Sequence, residues 1–245
     1  ASTVQVRLER KALPGAVRPT CCSVSRATVH TGTGGRRPFS PRGASTESLA
    51  LSDRAIERKR LRAARAALPP AARRAAERAI ARHLEHSGLI APGSRIAGYA
   101  ALGSEIGCAP ALRLAEQRHC RIYLPRITHF RKRQMRFVAV TGRWQRNRYG
   151  IAEPQGAAYA PLRSLHVILV PLVGVDARGN RLGMGAGFYD RALGRLHVGA
   201  WRRPRLVGIA HSCQQVAQLQ AQPHDVPLDA LVTERGIVFF RGDIA

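Results

Sequence analysis

Apolar residues recur at near-helical spacing after residue 51, and this pattern predicts two helices. Ser52 can cap the first helix, which ends where Pro69 and Pro70 stop or kink the run. The second predicted helix spans about residues 71–86, and Gly88 follows its end. Helical segments therefore precede the rest of the predicted fold.

Short apolar runs bounded by Gly and Pro follow these helices and predict β-strands. The predicted strands are residues 95–101, 121–124, 135–140, 165–170, 206–210, 231–233 and 237–240. Helical patterns fall between several of them, at about residues 109–117, 187–196 and 213–218. Alternation of strands and helices implies a mostly parallel sheet that is covered on both faces. We therefore predict the α/β class, with a single three-layer α/β/α domain over residues 52–245.

Residues 1–50 show neither the period of a helix nor the alternation of a strand, and they are rich in Arg, Ser, Thr, Gly and Pro. Because this segment has too little apolar surface to offset the entropy lost on ordering, we predict a disordered basic tail. Its Arg-rich, Ser-rich and acid-poor composition is also that of a transit peptide. A flexible tail, a transit peptide and an upstream extension from a misplaced start codon stay open as alternatives.

The chain has 40 Lys+Arg against 15 Asp+Glu in 245 residues, a formal net charge of +25. Such a charge raises nucleic acid or an anionic membrane surface as a partner. Only Lys11, Lys59 and Lys132 are lysines, however, and this skew toward arginine is typical of a GC-rich genome rather than of a selected binding surface. We therefore do not take the charge as evidence for a nucleic-acid partner.

Membrane and disulfide signals are weak. The sequence contains no apolar run long enough for a transmembrane helix, and its first residues lack the apolar stretch of a secretory signal. The five cysteines have no CxxC spacing and no His at metal-ligand spacing, and an odd number leaves no closed disulfide framework. We expect a soluble, cytoplasmic, monomeric protein without a membrane partner.

The most informative segment is residues 170–191, in which a buried-type strand ends at Pro171 and a polar turn follows. Gly183, Gly185 and Gly187 then alternate directly before a helical run. Glycines at this spacing let backbone N–H groups converge on an anion without interference from Cβ atoms, and a helix N-terminus adds a positive dipole. The pattern predicts a phosphate cradle, although it matches neither the Rossmann fingerprint nor the P-loop. A flexible glycine turn is the alternative.

Charged residues flank these glycines. Arg181 precedes them and could clamp a phosphate oxygen, and Asp190 follows them and could hold a divalent cation over the phosphates. Capping or dipole stabilisation of the following helix is the alternative role of Asp190. Asp225 is a second acidic candidate. Hard oxygen ligands at two separate chain positions suit magnesium, which keeps waters and bridges nucleotide phosphates.

Several blocks of this sequence, taken in order, resemble the 5-formyltetrahydrofolate cyclo-ligase family, also called methenyltetrahydrofolate synthetases. The matching blocks are the basic helix motif at residues 58–62, the acidic loop at 103–106, the strand end at 123–125, the glycine block at 169–191, and residues 207–211 and 224–229. The resemblance covers roughly residues 55–235. The glycine block is its specific part, since a basic helix alone is a weak signal in a chain this rich in arginine.

The resemblance implies cyclisation of 5-formyltetrahydrofolate to 5,10-methenyltetrahydrofolate, with ATP as co-substrate, Mg2+ as cofactor, and release of ADP and phosphate. An N-formyl oxygen is a poor leaving group, so its phosphorylation would give an activated imidate that the neighbouring N10 can attack. Positioning and charge neutralisation dominate phosphoryl transfer, so little covalent help from the protein is required.

Carried over residue by residue, the resemblance implies four overlapping sets of site residues. The catalytic candidates are Arg181, Tyr189 and Asp190, and the metal candidates are Asp190 and Asp225. The ATP-binding candidates are Arg58, Lys59, Arg62, Arg181, Leu182, Gly183, Met184, Gly185, Ala186, Gly187, Phe188 and Tyr189. The folate-binding candidates are Glu105, whose carboxylate can accept two hydrogen bonds from the pterin edge, Tyr123, Pro125 and residues 184–188.

Two positions depart from the commonest family pattern. Ala186 stands where Gly or Lys is often found, and Phe188 stands where Tyr is often found. A catalytically lapsed homologue that binds folate or nucleotide without turnover is therefore one alternative. A basic RNA-binding α/β protein is another, because residues 131–149 mix basic and aromatic side chains. A solvated hairpin, or attraction for a polyglutamate tail on the folate, explains that stretch equally well.

Overall fold

The computed structural model describes residues 46–140, 142–156, 158–194, 196, 203–222 and 225–240, with backbone alone for residues 46–52. Most of the predicted tail, residues 1–45, lies outside the described residues. The first helix begins at Thr46 rather than at Ser52, so its predicted start is too late. Residues 46–52 contain neither Pro nor Gly, so the helix can extend toward the N-terminus without a strong helix breaker.

The helices are α1 (Thr46–Ala67), α2 (Pro70–His86), α3 (Ala109–Gln117) and α4 (Phe188–Leu193). The strands are β1 (Arg95–Ala97), β2 (Arg121–His129), β3 (Gln134–Ala139), β4 (Trp144–Arg146), β5 (Ala152–Pro154), β6 (Tyr159–Ala160), β7 (Val167–Pro171), β8 (Gly174–Asp176), β9 (Arg181–Leu182), β10 (Arg205–Ile209), β11 (Gln215–Val216), β12 (Ala230–Thr233) and β13 (Gly236–Phe239). Pro70 begins α2 because a missing N–H costs nothing in the first helical turn. Within the described ranges, no helix is both long and apolar enough to cross a membrane.

An eight-stranded sheet has the order β13-β12-β10-β7-β1-β2-β3-β6. The strands from β12 to β2 are parallel to their neighbours, and the outer pairs are antiparallel. The mostly parallel sheet is therefore confirmed. The chain steps from β1 to β2 in one direction and from β7 through β10 to β12 in the other, so the strand order reverses between β1 and β7. Ligands bind at such a reversal, beyond the carboxyl ends of the strands.

Two apolar clusters lie on opposite faces of this sheet. β7 shows the division, since Leu169 joins the cluster that contains α2 and α3, whereas Ile168 and Val170 join the cluster that contains Leu193 of α4. All three strand residues are fully buried. A strand that is covered on both faces has a continuous apolar sequence, which explains the strong signal at this strand. The predicted three-layer α/β/α architecture is confirmed.

The helix α1 packs on a separate three-stranded sheet of order β11-β8-β9. Leu61 of α1 forms an apolar cluster there with Val173, Leu182 and Leu219. The approach is close at Gly174, where an added Cβ would lie 2.5 Å from Leu61 Cδ1. This packing places the basic residues of α1 beside the glycine segment that follows β9.

The helix predicted over residues 213–218 is wrong. A single 3₁₀ turn at Ser212–Gln214 leads into β11 instead. Gln214 is buried, and its Nε2 donates hydrogen bonds to the carbonyl oxygens of Leu172 and Val173, at 2.9 and 3.0 Å. These bonds to a distant part of the chain outweigh a short helical pattern, because local propensity is a weak determinant of structure.

Candidate active site

The candidate residues gather at the carboxyl ends of β1 and β7, where the strand order reverses. Residues 98–108 follow β1 as a loop, and residues 172–173 lead from β7 into the small sheet. The basic helix α1 covers this end because Leu61 packs on the small sheet. The fold therefore brings the predicted basic helix, acidic loop and glycine block together in one crevice, the usual ligand position in a doubly wound sheet.

The glycine loop, residues 183–187, runs from the end of β9 to the start of α4. Gly185 and Gly187 have φ angles of +96° and +69°, in the left-handed region that favours glycine. Met184 and Ala186 are exposed, so the loop is open to solvent and to a ligand. Since α4 has only 6 residues, its dipole adds little, and an anion would be held mainly by the loop amides.

An ion pair between Arg181 and Asp190 joins the two ends of the glycine loop. The Arg181 guanidinium is buried, and its Nη2 donates to Asp190 Oδ1 while its Nη1 donates to the carbonyl oxygen of Val226. Arg181 therefore fixes the loop internally and also ties it to the neighbour of Asp225. To contact a phosphate oxygen as predicted, Arg181 would have to donate from guanidinium N–H groups that are not used in these two bonds.

The two predicted metal ligands, Asp190 and Asp225, are both near arginine. Arg54 Nη1 donates to Asp225 Oδ2 at 3.0 Å, and the amide of Gln222 donates to the same oxygen at 3.0 Å. Within the described residues, the hydrogen bonds of each carboxylate fall on one oxygen, Oδ1 of Asp190 and Oδ2 of Asp225. The side chain of Asp190 is 28% exposed, whereas that of Asp225 is only 6% exposed. No group of three or more His, Cys, Asp or Glu side chains in the described ranges forms a ready metal cluster. This donor set fits magnesium, which uses one or two carboxylates with waters and phosphates.

The basic helix contacts the glycine loop through Arg58. Its Nε donates to the carbonyl oxygen of Gly183 at 2.9 Å, and its guanidinium lies 3.6 Å from the position of an added Cβ at Gly185. Burial lowers the pKa of Arg58, and the charges of Arg54 and Arg62 lower it further. A cluster of like charges beside an open loop attracts an anion. Lys59 is exposed.

Glu105 lies in the loop after β1. Its Oε2 accepts a hydrogen bond from the amide of Leu102 at 2.9 Å, which closes the loop on itself. Burial raises the pKa of Glu105, and the Leu102 amide, Arg65 and Arg62 act in the opposite direction. A half-buried carboxylate beside two cations is suited to accept hydrogen bonds from a ligand.

Tyr189 follows the glycine loop, and its hydroxyl is buried with no hydrogen-bond partner among the described residues. Burial raises the pKa of Tyr189 well above its usual value; Cys108 and Glu105 raise it further, and Arg181 lowers it. The hydroxyl therefore lies within electrostatic range of both the acidic loop and the Arg181 guanidinium. A buried hydroxyl without a partner costs free energy, so this group is positioned to donate to a ligand.

The remaining folate candidates lie close to Tyr189 or to the loop. Tyr123 is buried in the same apolar cluster as Tyr189, and Pro125 follows on the same strand, β2. The ring of Phe188 packs edge-on against Phe130, with centroids 6.4 Å apart. These residues would supply apolar walls rather than hydrogen bonds.

Sequence reasoning missed the tip of the β2–β3 hairpin as part of the site. Arg133 lies 3.5 Å from the position of an added Cβ at Gly187, and Arg191 of α4 donates to the carbonyl oxygen of Lys132 at 3.0 Å. Part of the basic stretch 131–149 therefore lies against the glycine loop. The residue types do not predict this contact, because it depends on the length of the β2–β3 hairpin and on its position relative to the glycine loop.

Arg65 of α1 is the second residue that sequence reasoning missed. It is buried, with 3% of its surface exposed, and it donates to Ser104 Oγ and to the carbonyl oxygen of Leu172. One signal was present, since Arg58, Arg62 and Arg65 are spaced four and three residues apart and so share a helix face.

Fold and site together define a class: a doubly wound α/β protein that carries an open glycine loop, flanking arginines and carboxylates at the switch point of its sheet. A family model described as the 5-formyltetrahydrofolate cyclo-ligase family matches residues 50–234. The chain belongs to this family. It is therefore a ligase of folate one-carbon metabolism, and the family resemblance read from the sequence is confirmed.

Similar proteins agree with this assignment. The chain is 36% identical over 144 residues to the 5-formyltetrahydrofolate cyclo-ligase of Haemophilus influenzae, covering 56% of this chain and 74% of the relative. The Escherichia coli K12 protein of the same name is 34% identical over 144 residues, covering 56% and 76%.

Two solved structures show the same fold. The 5,10-methenyltetrahydrofolate synthetase of Aquifex aeolicus has a TM-score of 0.65 at 24% identity, covering 78% of this chain and 95% of its own. The Mycoplasma pneumoniae 5,10-methenyltetrahydrofolate synthetase has a TM-score of 0.60 at 22% identity, covering 74% and 99%. At these identities the likeness concerns the fold alone.

Proposed function

We propose that this chain catalyses the ATP- and magnesium-dependent cyclisation of 5-formyltetrahydrofolate to 5,10-methenyltetrahydrofolate, with release of ADP and phosphate. The observation that supports it most is the bond from Arg58 to the carbonyl oxygen of Gly183, because it brings the basic helix onto the glycine loop. The Arg181–Asp190 pair closes the same loop from its other side. Membership in the cyclo-ligase family supports the same reaction.

In this proposal the glycine loop holds the ATP phosphates through its backbone amides. Arg58 and Arg62 are four residues apart on α1, so both guanidinium groups can converge on the triphosphate. The charge of Arg62 already acts on Arg58, which places the two groups near each other. Arg133, which lies against Gly187, would add a third positive charge to the loop.

Magnesium would be held by Asp190 and Asp225 together with phosphate oxygens, and when bound it neutralises charge on the transferring phosphoryl group. Arg181 contributes to this arrangement because it binds Asp190 directly and binds the carbonyl oxygen of Val226, next to Asp225. The buried guanidinium thereby keeps the two carboxylate segments in a fixed relation.

The reaction proceeds in two steps. The formyl oxygen attacks the γ-phosphorus, the bond from that phosphorus to the bridging oxygen of ADP breaks, and the formyl carbon becomes an O-phosphorylated imidate. N10 then attacks the imidate carbon, loses its proton, and the carbon–oxygen bond breaks to release phosphate. The protein's contribution is to align the formyl oxygen with the phosphorus and to stabilise the charge that develops, which are the main sources of catalysis in phosphoryl transfer.

Tyr189 and Glu105 would act on the folate side of the crevice. The partnerless Tyr189 hydroxyl donates to the formyl oxygen or to the phosphate that departs from it, which satisfies a buried polar group only when substrate is bound. The Glu105 carboxylate accepts hydrogen bonds from the donor-rich edge of the pterin. Tyr123 and Pro125 lie along β2 and would flank the ring.

The near-ultraviolet absorbance of the methenyl product provides the test. Purified protein with 5-formyltetrahydrofolate, ATP and magnesium should generate this absorbance, with one ADP formed for each product molecule. Omission of ATP, or chelation of the metal, should abolish the signal. Binding of both substrates without product formation would overturn the proposal in favour of a catalytically lapsed homologue, and product formation without ATP would overturn the proposed chemistry.

An RNA-binding function stays a prediction: the backbone carbonyl of Lys132 bonds to Arg191 and Arg133 lies beside Gly187, but both hairpin side chains are exposed. A polyglutamate tail on the folate, a monomeric state and a cytoplasmic location stay predictions.

A further inference from the structure

Arg65 of α1 joins the two loops that form the crevice. Its Nε donates to Ser104 Oγ at 3.1 Å, and its Nη1 donates to the carbonyl oxygen of Leu172 at 3.3 Å. Ser104 lies in the loop after β1, and Leu172 directly follows β7. A single guanidinium therefore spans the point where the strand order reverses, and it sets the separation of the two loops.

Burial makes this arginine unlike the many others of the chain. Only 3% of Arg65 is exposed, and in the described part of the chain it forms no ion pair with a carboxylate. A buried cation without a contacting counter-ion is costly, so it is kept only where its charge or its geometry is used. Abundant arginine codons explain exposed arginines, but they do not explain a buried one.

The carboxylate that offsets this charge is Glu105, the neighbour of Ser104. Burial lowers the pKa of Arg65, and among the charges that oppose this shift Glu105 acts most strongly. The same interaction works in reverse, because burial raises the pKa of Glu105 while Arg65 lowers it. Each of the two groups therefore favours the charged form of the other.

We propose that Arg65 is a positioning residue for Glu105: by bonding to Ser104 and Leu172 it holds the acidic loop against the end of β7, and so fixes the carboxylate where folate binds. The inference rests on the proposed function, in which Glu105 receives the pterin. Lysine could not replace this arginine fully, because one ammonium group cannot reproduce the planar fork that reaches both Ser104 and Leu172.

The pH dependence of folate binding can report on this role, because the charge of Arg65 lowers the pKa of Glu105. Burial raises the pKa of Cys108 to about 12, and it also raises the pKa values of Tyr99, Tyr189 and Cys213. Two further titratable groups are packed here: Glu77, which accepts a hydrogen bond from the Gly107 amide of the same loop at 3.0 Å, and His211, whose pKa is lowered by burial and by the charge of Arg65. Glu105 is the carboxylate that interacts most strongly with Arg65.

The experiment measures the equilibrium binding of 5-formyltetrahydrofolate, without ATP, as a function of pH, beside nucleotide binding and thermal unfolding. Arg65→Met should weaken folate binding by about tenfold or more, the change expected from one lost hydrogen bond to a charged group. Nucleotide binding should change by less than about twofold, since the hydrogen bonds of Arg65 go to Ser104 and Leu172 rather than to the glycine loop. The acid midpoint of folate binding should move to higher pH, because Glu105 loses a neighbouring positive charge.

Two further variants separate geometry from charge. Arg65→Lys and Ser104→Ala keep the positive charge, so they should weaken folate binding without moving the acid midpoint. The control is Arg60→Met, on the same helix, because Arg60 is exposed and pairs with Glu57 instead. This control should leave folate binding and the midpoint unchanged.

Several outcomes would overturn the inference while leaving the proposed function intact. An Arg65→Met protein with an unchanged acid midpoint, or with equal losses in folate and nucleotide binding, would reduce Arg65 to a structural residue. If Arg65→Met does not fold, the folate affinity of Arg65→Lys provides the test. An Arg65→Lys protein that binds folate as tightly as the wild type would overturn the inference. Failure of the wild-type protein to bind 5-formyltetrahydrofolate would instead overturn the proposed function.

Discussion

Arg181 and Asp190 form an ion pair that closes the glycine loop from inside. The guanidinium is almost completely buried, with 2% of its side chain exposed, whereas 28% of the Asp190 side chain is exposed. Asp190 is therefore both the counter-ion of a buried cation and a candidate metal ligand on the open side. These two roles make different predictions when the carboxylate is removed.

Asp190→Asn should lower turnover by about 30- to 1000-fold and raise the magnesium requirement, because one ligand of the charge-neutralising metal is lost. It should also lower the free energy of unfolding by about 1–2 kcal/mol, since Arg181 keeps a hydrogen-bond acceptor but loses its counter-ion. Turnover against magnesium concentration and thermal unfolding measure the two effects. Glu85→Gln, which removes an exposed ion pair, serves as control. Normal turnover at low magnesium in a destabilised Asp190→Asn protein would show that Asp190 is only structural.

Gly185 and Gly183 offer a matched pair in the glycine loop. An added Cβ meets nothing at Gly183, and its φ lies outside the left-handed region, whereas Gly185 has a φ of +96°. Gly185→Ala should therefore cost about 1–2 kcal/mol of stability or distort the loop, and it should weaken nucleotide binding. Gly183→Ala should change the free energy of unfolding by less than about 0.5 kcal/mol. Calorimetric binding of ATP and chemical unfolding of both variants check this, and equal behaviour would argue against a strained phosphate loop.

Arg58→Ala should raise the apparent KM for ATP more than the KM for folate, because the guanidinium contacts the glycine loop rather than the acidic loop. The loss should be about tenfold, the usual effect of one hydrogen bond to a charged group. Arg58→Lys should restore it only in part, since the bond to Gly183 uses the Nε–H that lysine lacks. Arg60→Ala is the control on the exposed face of α1. Steady-state kinetics with each substrate varied would contradict the assignment if both KM values rose equally.

Asp176 should make the stability of the protein depend on acid pH. Burial alone would raise the pKa of this carboxyl, but hydrogen bonds from Asn180 and from the amides of Leu219 and Arg178 outweigh it and leave the pKa below its ordinary value. Since the folded pKa is depressed, the stabilisation is present above the ordinary value of 3.8 and is lost as the pH falls through the lower folded pKa.

Asp176→Asn should therefore destabilise the protein by about 2–3 kcal/mol near neutral pH, because an amide N–H₂ cannot accept the bonds that Oδ2 receives from Asn180 and Leu219. The difference from wild type should shrink at acid pH. Chemical unfolding over a pH series measures it, with the exposed Asp53→Asn as control. If the difference stays constant down to acid pH, the charge of the Asp176 carboxylate is not the cause of the destabilisation.

Helices with a regular apolar period could be predicted from the sequence. The helix predicted over 109–117 coincides with α3, because Ala111, Leu112 and Ala115 form a buried stripe at helical spacing. Pro69 and Pro70 marked the break between α1 and α2, since proline cannot continue a helix. Strands such as β8, β9 and β11, with only two or three residues, carry too few alternations to be recognised.

The amino-acid sequence by itself determined the fold class, the family and the position of the glycine loop, because apolar periodicity and a run of glycines are local properties of the chain. Only the tertiary structure decided which charged groups meet. Arg65 and Leu172 are 107 positions apart, and Arg181 and Val226 are 45 apart, so no local pattern encodes either contact. Whether an arginine is buried depends on the packing of all the strands and helices around it, and in so arginine-rich a chain residue type alone could not distinguish Arg65 from its exposed neighbours.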